Sequence, residues 1–253
     1  MPLETPARSR SPIASELALP PPFSAVRLRE VGDAFEHAIS IAAEQGAGTL
    51  VYVGRFDLAE FAVILEPDEP LLKARRVFYA GMAALADALA TYAQPETSIA
   101  IDWPDSLFVN QGLVGGGRLA WPKDVGESET PPWLVFGGMI RTVSMTGNEP
   151  GLNPLVTALE EEGFTDVLSN HVVESFARHL MVALDSWQEA GFAAVERSYI
   201  ERLPREQGVR REIDDNGDLL VRRTGKAEVR REKFLPRLAQ PAWFDRATKG
   251  PRA

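Results

Sequence analysis

Residues 97–121 read TSIAIDWPDSLFVNQGLVGGGRLAW, and this stretch carries the strongest fold signal in the chain. Its β-branched and apolar runs predict a strand at 99–101, a second strand at 107–109 and a third strand that opens on a run of glycines. Trp103 and Pro104 mark the first corner, because proline has a fixed φ and keeps the residue before it extended. We therefore expect three consecutive strands joined by short turns.

The third strand is predicted to open with Gly115, Gly116 and Gly117. Consecutive glycines weaken a strand, so they indicate a place where a ligand or another backbone comes close. Valine otherwise favours a strand. On the ligand interpretation, Gly116→Val should leave the fold largely intact and abolish ligand binding.

Composition limits the class of protein. The 253 residues are 45% hydrophobic and 25% charged, as in ordinary soluble domains, and no apolar run approaches the roughly 18 residues of a membrane span. Because the chain has no cysteine, disulfides, thiolate metal sites and a cysteine nucleophile are excluded. The net charge of −9 argues against nucleic acid as a partner. We expect a cytoplasmic protein without membrane or nucleic-acid partners.

The charge is unevenly distributed along the chain. Residues 1–201 hold 13 basic and 28 acidic side chains, whereas residues 202–253 hold 14 and 8. We therefore predict an extended or disordered segment at 1–22, a main domain at 23–203 and a small β-rich domain at 204–253. The basic tail is either a solvated surface or a contact for an acidic partner such as a carrier domain.

Hydrophobic periodicity predicts the remaining elements. Asp33 is the expected N-cap of the first helix, and Asn216-Gly217 indicates a hairpin near the C-terminus. The predicted helices cover 33–45, 77–92, 170–190 and 193–202, with another beginning at Asn153-Pro154; the other predicted strands cover 23–30, 49–53, 61–65, 133–140, 209–213 and 219–223. The predicted fold is α+β: a mixed, mostly antiparallel sheet with helices packed mainly on one side, plus the small C-terminal β-rich domain.

The central stretch resembles the motif of the biotin/lipoate A/B protein ligase family, Lys-Trp-Pro-Asn-Asp followed by a strand, a turn and a small-Gly step. Trp103-Pro104 matches, as does the spacing to Gly115. Asp102 stands at the position of the family's catalytic lysine, and Asp105 follows the Trp-Pro pair. Biotin ligases of this family have an extended Gly-Arg-Gly-Arg loop, of which this chain keeps only Gly54-Arg55.

The resemblance implies a catalytic domain like that of class II aminoacyl-tRNA synthetases and biotin ligases. Such an enzyme uses ATP and Mg to activate a carboxylic acid, such as biotin or lipoate, and attaches it to a lysine of a biotinyl or lipoyl carrier domain. Two alternatives remain open. One is a non-catalytic ligand-binding homologue, and the other is an ATP-independent acyltransferase that uses a preformed thioester.

Candidate site residues follow from the resemblance. An adenylating ligase needs a cation beside the forming acyl phosphate, and within the main domain Lys73, Lys123 or an arginine could supply it; Lys123 and Asp105 are the candidate catalytic residues. The implied ligand-binding residues are Arg55, Trp103, Pro104, Gly115, Gly116, Gly117 and Arg118. The structural alternatives are a turn in which Asp105 accepts backbone N–H groups, and surface ion pairs for the two arginines. The three histidines lack the spacing of a metal motif, so no metal site is expected.

Overall fold

The computed structural model describes residues 17–145 and 155–252. Its main sheet has seven strands in the order β1-β2-β3-β7-β6-β5-β4, and each neighbouring pair is antiparallel except β1 and β2. The strands are β1 (Ser24–Leu28), β2 (Thr49–Val53), β3 (Leu58–Leu65), β4 (Ile99–Asp102), β5 (Ser106–Val109), β6 (Gly112–Ala120) and β7 (Leu134–Arg141). The mixed, mostly antiparallel sheet is thus confirmed. The helix start predicted at Asn153-Pro154 lies outside the described residues.

Helices pack mainly on one face of this sheet, as predicted. The helices are α1 (Ala34–Gln45), α2 (Leu71–Ala74), α3 (Val77–Ala90), α4 (Ser169–Ala190) and α5 (Phe192–Glu201), with a 3-10 turn at Leu159–Glu162. Helix α3 is apolar on all sides because it is covered by the sheet, α4 and α5. Helix α1 lies on the opposite face, and Asp33 caps it by accepting a hydrogen bond from the Glu36 amide at 3.0 Å. Within the described residues, none of these helices is both long and apolar enough to cross a bilayer.

Side chains of each strand alternate between two faces. We call the side that packs on α3 the helical face, and the side that packs on α1 the α1 face. On β6, a Cβ added to Gly117 would lie 2.6 Å from the sulfur of Met82, so this position points to the helical face. Its neighbours Gly116 and Arg118 point to the α1 face.

The C-terminal region contains a small antiparallel sheet of β8 (Val209–Ile213), β9 (Leu219–Arg223) and β10 (Val229–Glu232). The β8–β9 hairpin turns at Asn216-Gly217, as predicted. Tyr79 on α3 donates its hydroxyl to the Gly217 carbonyl at 2.5 Å. Phe234, in the short helix α6 (Phe234–Leu238), is fully buried in the same core cluster as Tyr79. The main core therefore continues into the small sheet, and a separable domain at 204–253 stays a prediction.

Beyond α6 the chain crosses to the α1 face. There it forms a two-stranded ribbon, β11 (Phe244–Asp245) and β12 (Gly250–Pro251), which lies against β6 and β7. We call residues 241–252 the C-terminal strap. Among the described residues, α1 therefore packs on β2, β3 and β7 of this face, and the strap packs on β6 and β7.

Candidate functional site

Arg118 lies at the seam between α1 and the strap. Its guanidinium carbon is 4.3 Å from the ring centroid of Phe35 on α1, and also 4.3 Å from the ring centroid of Phe244 in the strap. Phe35 fits here because the strand partner of Arg118 is Gly137, where a Cβ would lie 2.4 Å from the Phe35 ring. The cation is therefore held between two aromatic faces, an arrangement that suits the planar guanidinium.

Among the described residues, few groups use the hydrogen-bond donors of Arg118. Its contact with a carboxylate is an ion pair with Asp33 at 3.9 Å, which is longer than a hydrogen bond. Burial lowers the pKa of the Arg118 guanidinium, and the nearby carboxylates of Asp33 and Glu60 partly offset this. Arginine stays protonated even so. Arg118 is thus a desolvated cation with donors suited to a planar anion such as a carboxylate.

Glu60 is a buried carboxylate close to this cation. It lies on β3, is only 4% exposed and accepts a hydrogen bond from the Ala34 amide at 2.9 Å, at the start of α1. Burial raises the pKa of Glu60, and the Ala34 hydrogen bond partly offsets this. Glu60 holds the first turn of α1 against the sheet, and with it the Phe35 ring that covers Arg118.

Asp105 is buried beneath the strap, with 1% of the residue exposed. Oδ1 of its carboxylate accepts a hydrogen bond from the Ser106 hydroxyl at 2.9 Å, while Oδ2 has no hydrogen-bond partner among the described residues. Burial raises the pKa of Asp105 to about 6, and the Ser106 hydroxyl and the Ala242 backbone partly offset this. The main-chain carbonyl of Asp105 accepts from the Gly117 amide at 3.0 Å, so the turn itself is tied to β6.

Gly115 and Gly116 each lie against another part of the chain, as Gly117 does against Met82. Gly115 lies at a bulge opposite β5, where a Cβ would be 1.9 Å from the Met139 carbonyl oxygen. A Cβ on Gly116 would lie 2.0 Å from the Asp105 carbonyl oxygen and 2.5 Å from the Trp243 ring. The groups that lie close to these two glycines are thus main-chain carbonyls and the Trp243 indole of the protein itself. The expectation that Gly116→Val leaves the fold intact is therefore wrong. Strand β6 also begins earlier than predicted, at Gly112, so the glycines lie within it.

Trp243 fills the α1 face above the glycines. It is 1% exposed and donates its indole N–H to the Gly117 carbonyl at 3.2 Å. It belongs to a small cluster with Leu58, Leu113 and Met139, which is separate from the main core. The strap therefore occupies the surface on which the sequence analysis placed a ligand.

Trp103 and Pro104 do not lie on this surface, whereas Arg55 lies close enough to Glu60 for the two charges to interact. Trp103 and Pro104 lie on the helical side, where the Trp103 indole N–H donates to the Tyr79 hydroxyl at 3.3 Å and the Pro104 carbonyl accepts from Tyr199 at 2.9 Å. Arg55 makes a two-bond ion pair with Asp57, at 2.8 and 2.5 Å. That hydrogen-bonded pair raises the pKa of Arg55 and lowers that of Asp57.

Lys123 and Asp102 are both exposed. Lys123 lies three residues beyond the end of β6, and Gly117 is a further three residues back along that strand, roughly 10 Å from its end. Lys123 is thus exposed in the loop after β6 whereas Asp105 is buried, and the catalytic role of this pair stays a prediction. Among residues 17–145 and 155–252, no group of three His, Asp or Glu side chains is placed to hold a metal ion.

Sequence reasoning missed Phe35, Glu60, Trp243 and Phe244. A single Glu within the apolar run LAEFAVIL signals a buried, bonded carboxylate, but the predicted strand began only at residue 61. The Trp-Phe pair in an otherwise polar tail signals a segment that docks on the protein. Neither signal identifies the surface against which these side chains pack.

The sheet, the helices on its one face and the small C-terminal sheet define the fold class of the biotin protein ligases. A biotin protein ligase-like protein of unknown function from Silicibacter sp. is similar, with a TM-score of 0.73 and 25% identity over 87% of this chain and 97% of that one. Biotin protein ligase from Aquifex aeolicus in complex with biotin and ATP has a TM-score of 0.59 and 14% identity, covering 83% and 98% of the two chains.

The chain belongs to the biotin/lipoate A/B protein ligase family, whose model matches residues 19–201. The biotin--[acetyl-CoA-carboxylase] ligase of Paracoccus denitrificans is 27% identical over 185 residues, which are 63% of this chain and 72% of that protein. The family match ends before the strap, so Trp243 and Phe244 lie outside the part that the family model describes.

Proposed function

We propose that this protein is a ligase-type enzyme that binds a carboxylic acid, such as biotin or lipoate, and attaches its acyl group to a lysine of a carrier domain. Membership of the family and the similarity to a biotin--[acetyl-CoA-carboxylase] ligase support the reaction class. The observation that carries the proposal is Arg118, a desolvated arginine between two rings with donors suited to a carboxylate.

The α1 face supplies the rest of the binding surface. Gly116 leaves the strand without a side chain, Met139 forms the apolar floor beside it, and Phe35 closes the end next to α1. In this proposal the apolar body of the acid lies along β6 and its carboxylate pairs with Arg118. Bidentate Arg–carboxylate bonding gives the acid a single orientation.

Amide formation with a lysine requires an activated acyl group, which ATP and Mg supply in an adenylating ligase. Asp102, the last residue of β4, places a carboxylate at the position of the family's lysine, and Lys123 lies on the surface, so neither residue supplies a buried cation. In this proposal, Arg118 is the cation that takes the place of the family's lysine.

Acid-dependent exchange of labelled pyrophosphate into ATP tests the proposal. With saturating ATP and magnesium, we expect exchange with at least one of biotin, lipoate and octanoate, and less exchange by an Arg118→Met variant. If none of the three acids supports exchange, the ATP-dependent ligase is excluded.

A second candidate is a binding protein that has kept the acid site and lost the adenylation chemistry. Asp102 at the lysine position and the short loop at Gly54-Arg55 favour it. Thermal unfolding separates the two, since a ligand at 100 times its Kd adds about 2.7 kcal/mol to the free energy of unfolding. Stabilisation by an acid without exchange identifies the binding protein or a thioester-using acyltransferase, and transfer from an acyl thioester to a carrier lysine distinguishes these two.

A further inference from the structure

The C-terminal strap lies where the proposed acid would bind. Trp243 fills the space above Gly116, and Phe244 covers one side of the Arg118 guanidinium. An acid cannot occupy this surface while both rings are in place. We propose that the strap is an internal occupant of the acid site, and that a carboxylic acid with a cyclic apolar head displaces it. This inference rests on the proposed function.

The spacing of the two rings indicates the shape of the acid. Gly116 and Arg118 point to the same face, and two residues of a strand span roughly 7 Å. An acid that replaces both rings therefore needs a compact head the size of the indole, and a short chain that carries its carboxylate to the guanidinium. Biotin and lipoate have a cyclic head on such a chain, whereas octanoate has no head group.

The strap is attached in a way that allows it to detach without opening the core. Its buried ring, Trp243, belongs to the small cluster with Leu58, Leu113 and Met139, whereas Phe234 in the preceding helix is anchored in the main core. Displacement of the strap therefore disrupts only this small cluster and leaves the main core closed.

Within the described residues, few polar bonds hold the strap to the sheet besides the interaction of the Ala242 backbone with the Asp105 carboxylate. The Trp243 indole donates to Gly117 at 3.2 Å, and Arg141 at the end of β7 donates to the carbonyls of Pro251 and Arg252, both at 3.0 Å. Within the strap, the Arg252 amide donates to the Trp243 carbonyl at 2.8 Å, which closes the ribbon on itself. The ribbon is thus bonded within itself, and in this proposal it leaves the sheet as one unit.

An open cleft lies beside Phe244 of the strap. It has a volume of about 770 Å³ and is lined by Gln240, Pro241, Phe244, Asp245, Arg246 and Arg252. Phe244 is the residue of this lining that contacts Arg118. Rotation of its ring away from the guanidinium would connect the cleft with the acid site, so the acid has a route to Arg118 before Trp243 leaves.

Substitutions that weaken the strap test the proposal. Trp243→Ala removes the indole, and Arg141→Met releases the other end of the ribbon without touching the indole. Trp187→Ala is the matched control, since Trp187 packs on Phe192 and the main cluster, among the helices of the other face. Binding of biotin, lipoate and octanoate is measured by calorimetric titration. We expect Trp243→Ala to bind a cyclic-head acid about tenfold more tightly than the wild type, and Trp187→Ala to bind it with unchanged affinity. If Trp243→Ala does not fold, tighter binding by Arg141→Met tests the same point.

Hydrogen exchange of the wild-type protein is the second measurement. A saturating cyclic-head acid should speed exchange of amides in 242–252 while it slows exchange in 114–118. Equal affinity of wild type and both strap variants would overturn the strap as an occupant and leave the acid site intact. Slower exchange in 242–252 would show a lid that closes over the acid, which also overturns it. Binding of no acid by any variant overturns the proposed function, and this inference with it.

Discussion

The carbonyl oxygen of Asp105 lies 2.0 Å from the point that a Cβ on Gly116 would occupy. The turn after Pro104 and strand β6 therefore touch main chain to main chain, and the Gly117 amide bonds to the same carbonyl at 3.0 Å. This contact explains the middle glycine of the run without any ligand. It also places Asp105 under the strap, where its carboxyl is buried.

Gly116→Ala should destabilise the protein by about 3 kcal/mol, because the methyl group forces the Asp105 turn and the Trp243 ring apart. Urea unfolding measures the change. Gly126→Ala is the control: a Cβ there meets its nearest atom only at 3.5 Å, so its effect should stay within about 0.5 kcal/mol. Equal stability of the two variants would contradict the close approach of Gly116 to the Asp105 carbonyl.

Asp105 should make stability fall as pH rises. Burial raises its pKa to about 6, so the protonated form is favoured in the folded state; this contribution is complete below the unfolded pKa of about 3.9 and is lost as pH rises through about 6. Asp105→Asn keeps the shape and removes the titration. The wild type should lose about 2–3 kcal/mol relative to this variant between pH 4 and pH 7, as measured by urea unfolding at each pH. A constant difference across that range would show that Asp105 does not titrate there.

Arg118→Met should weaken binding of the acid by about tenfold or more, since a charge-assisted pair with a carboxylate is lost. Arg118→Lys should recover only part of the affinity, because lysine keeps the charge but lacks the planar fork that fits between Phe35 and Phe244. Titration with biotin and lipoate measures both. Arg197→Met, on the exposed side of α5, is the control and should bind like the wild type. Unchanged affinity of Arg118→Met would remove Arg118 from the site.

Phe234→Ala should destabilise the whole chain by about 3–5 kcal/mol, because its ring packs on Phe78 and Tyr79 in the main core. We expect one cooperative unfolding transition by circular dichroism and by tryptophan fluorescence. Phe56→Ala, at a residue that is 58% exposed, should change stability little. Two separate transitions, together with a tryptic cut near residues 205–208 that leaves a folded core, would instead support an independent domain at 204–253.

Local patterns in the sequence were sufficient for the fold class and for the strands of the main sheet, but they did not reveal α2, β10, α6 or the two strands of the strap. Strand β2 (Thr49–Val53) and both strands of the C-terminal hairpin have the predicted bounds, and Asp33 caps α1 as expected. These features depend on neighbours within a few residues. Examples are an N-cap side chain that accepts a hydrogen bond from the amide three residues later, and an Asn-Gly turn between two apolar runs. The Trp-Pro corner and the glycine run likewise indicated the family.

Only the tertiary structure decided which residues share a surface. Whether Gly116 faces Trp243 or a ligand depends on a segment 127 residues further along the chain, and no periodicity encodes that distance. Trp103 and Arg118 are both close to the glycines in sequence, yet they point to opposite faces of the sheet. The sequence by itself determined the strands and the side-chain alternation along each of them. The packing of α1 and of the strap decided which alternate residues form a site, because burial is set by whatever covers the face and not by the strand itself.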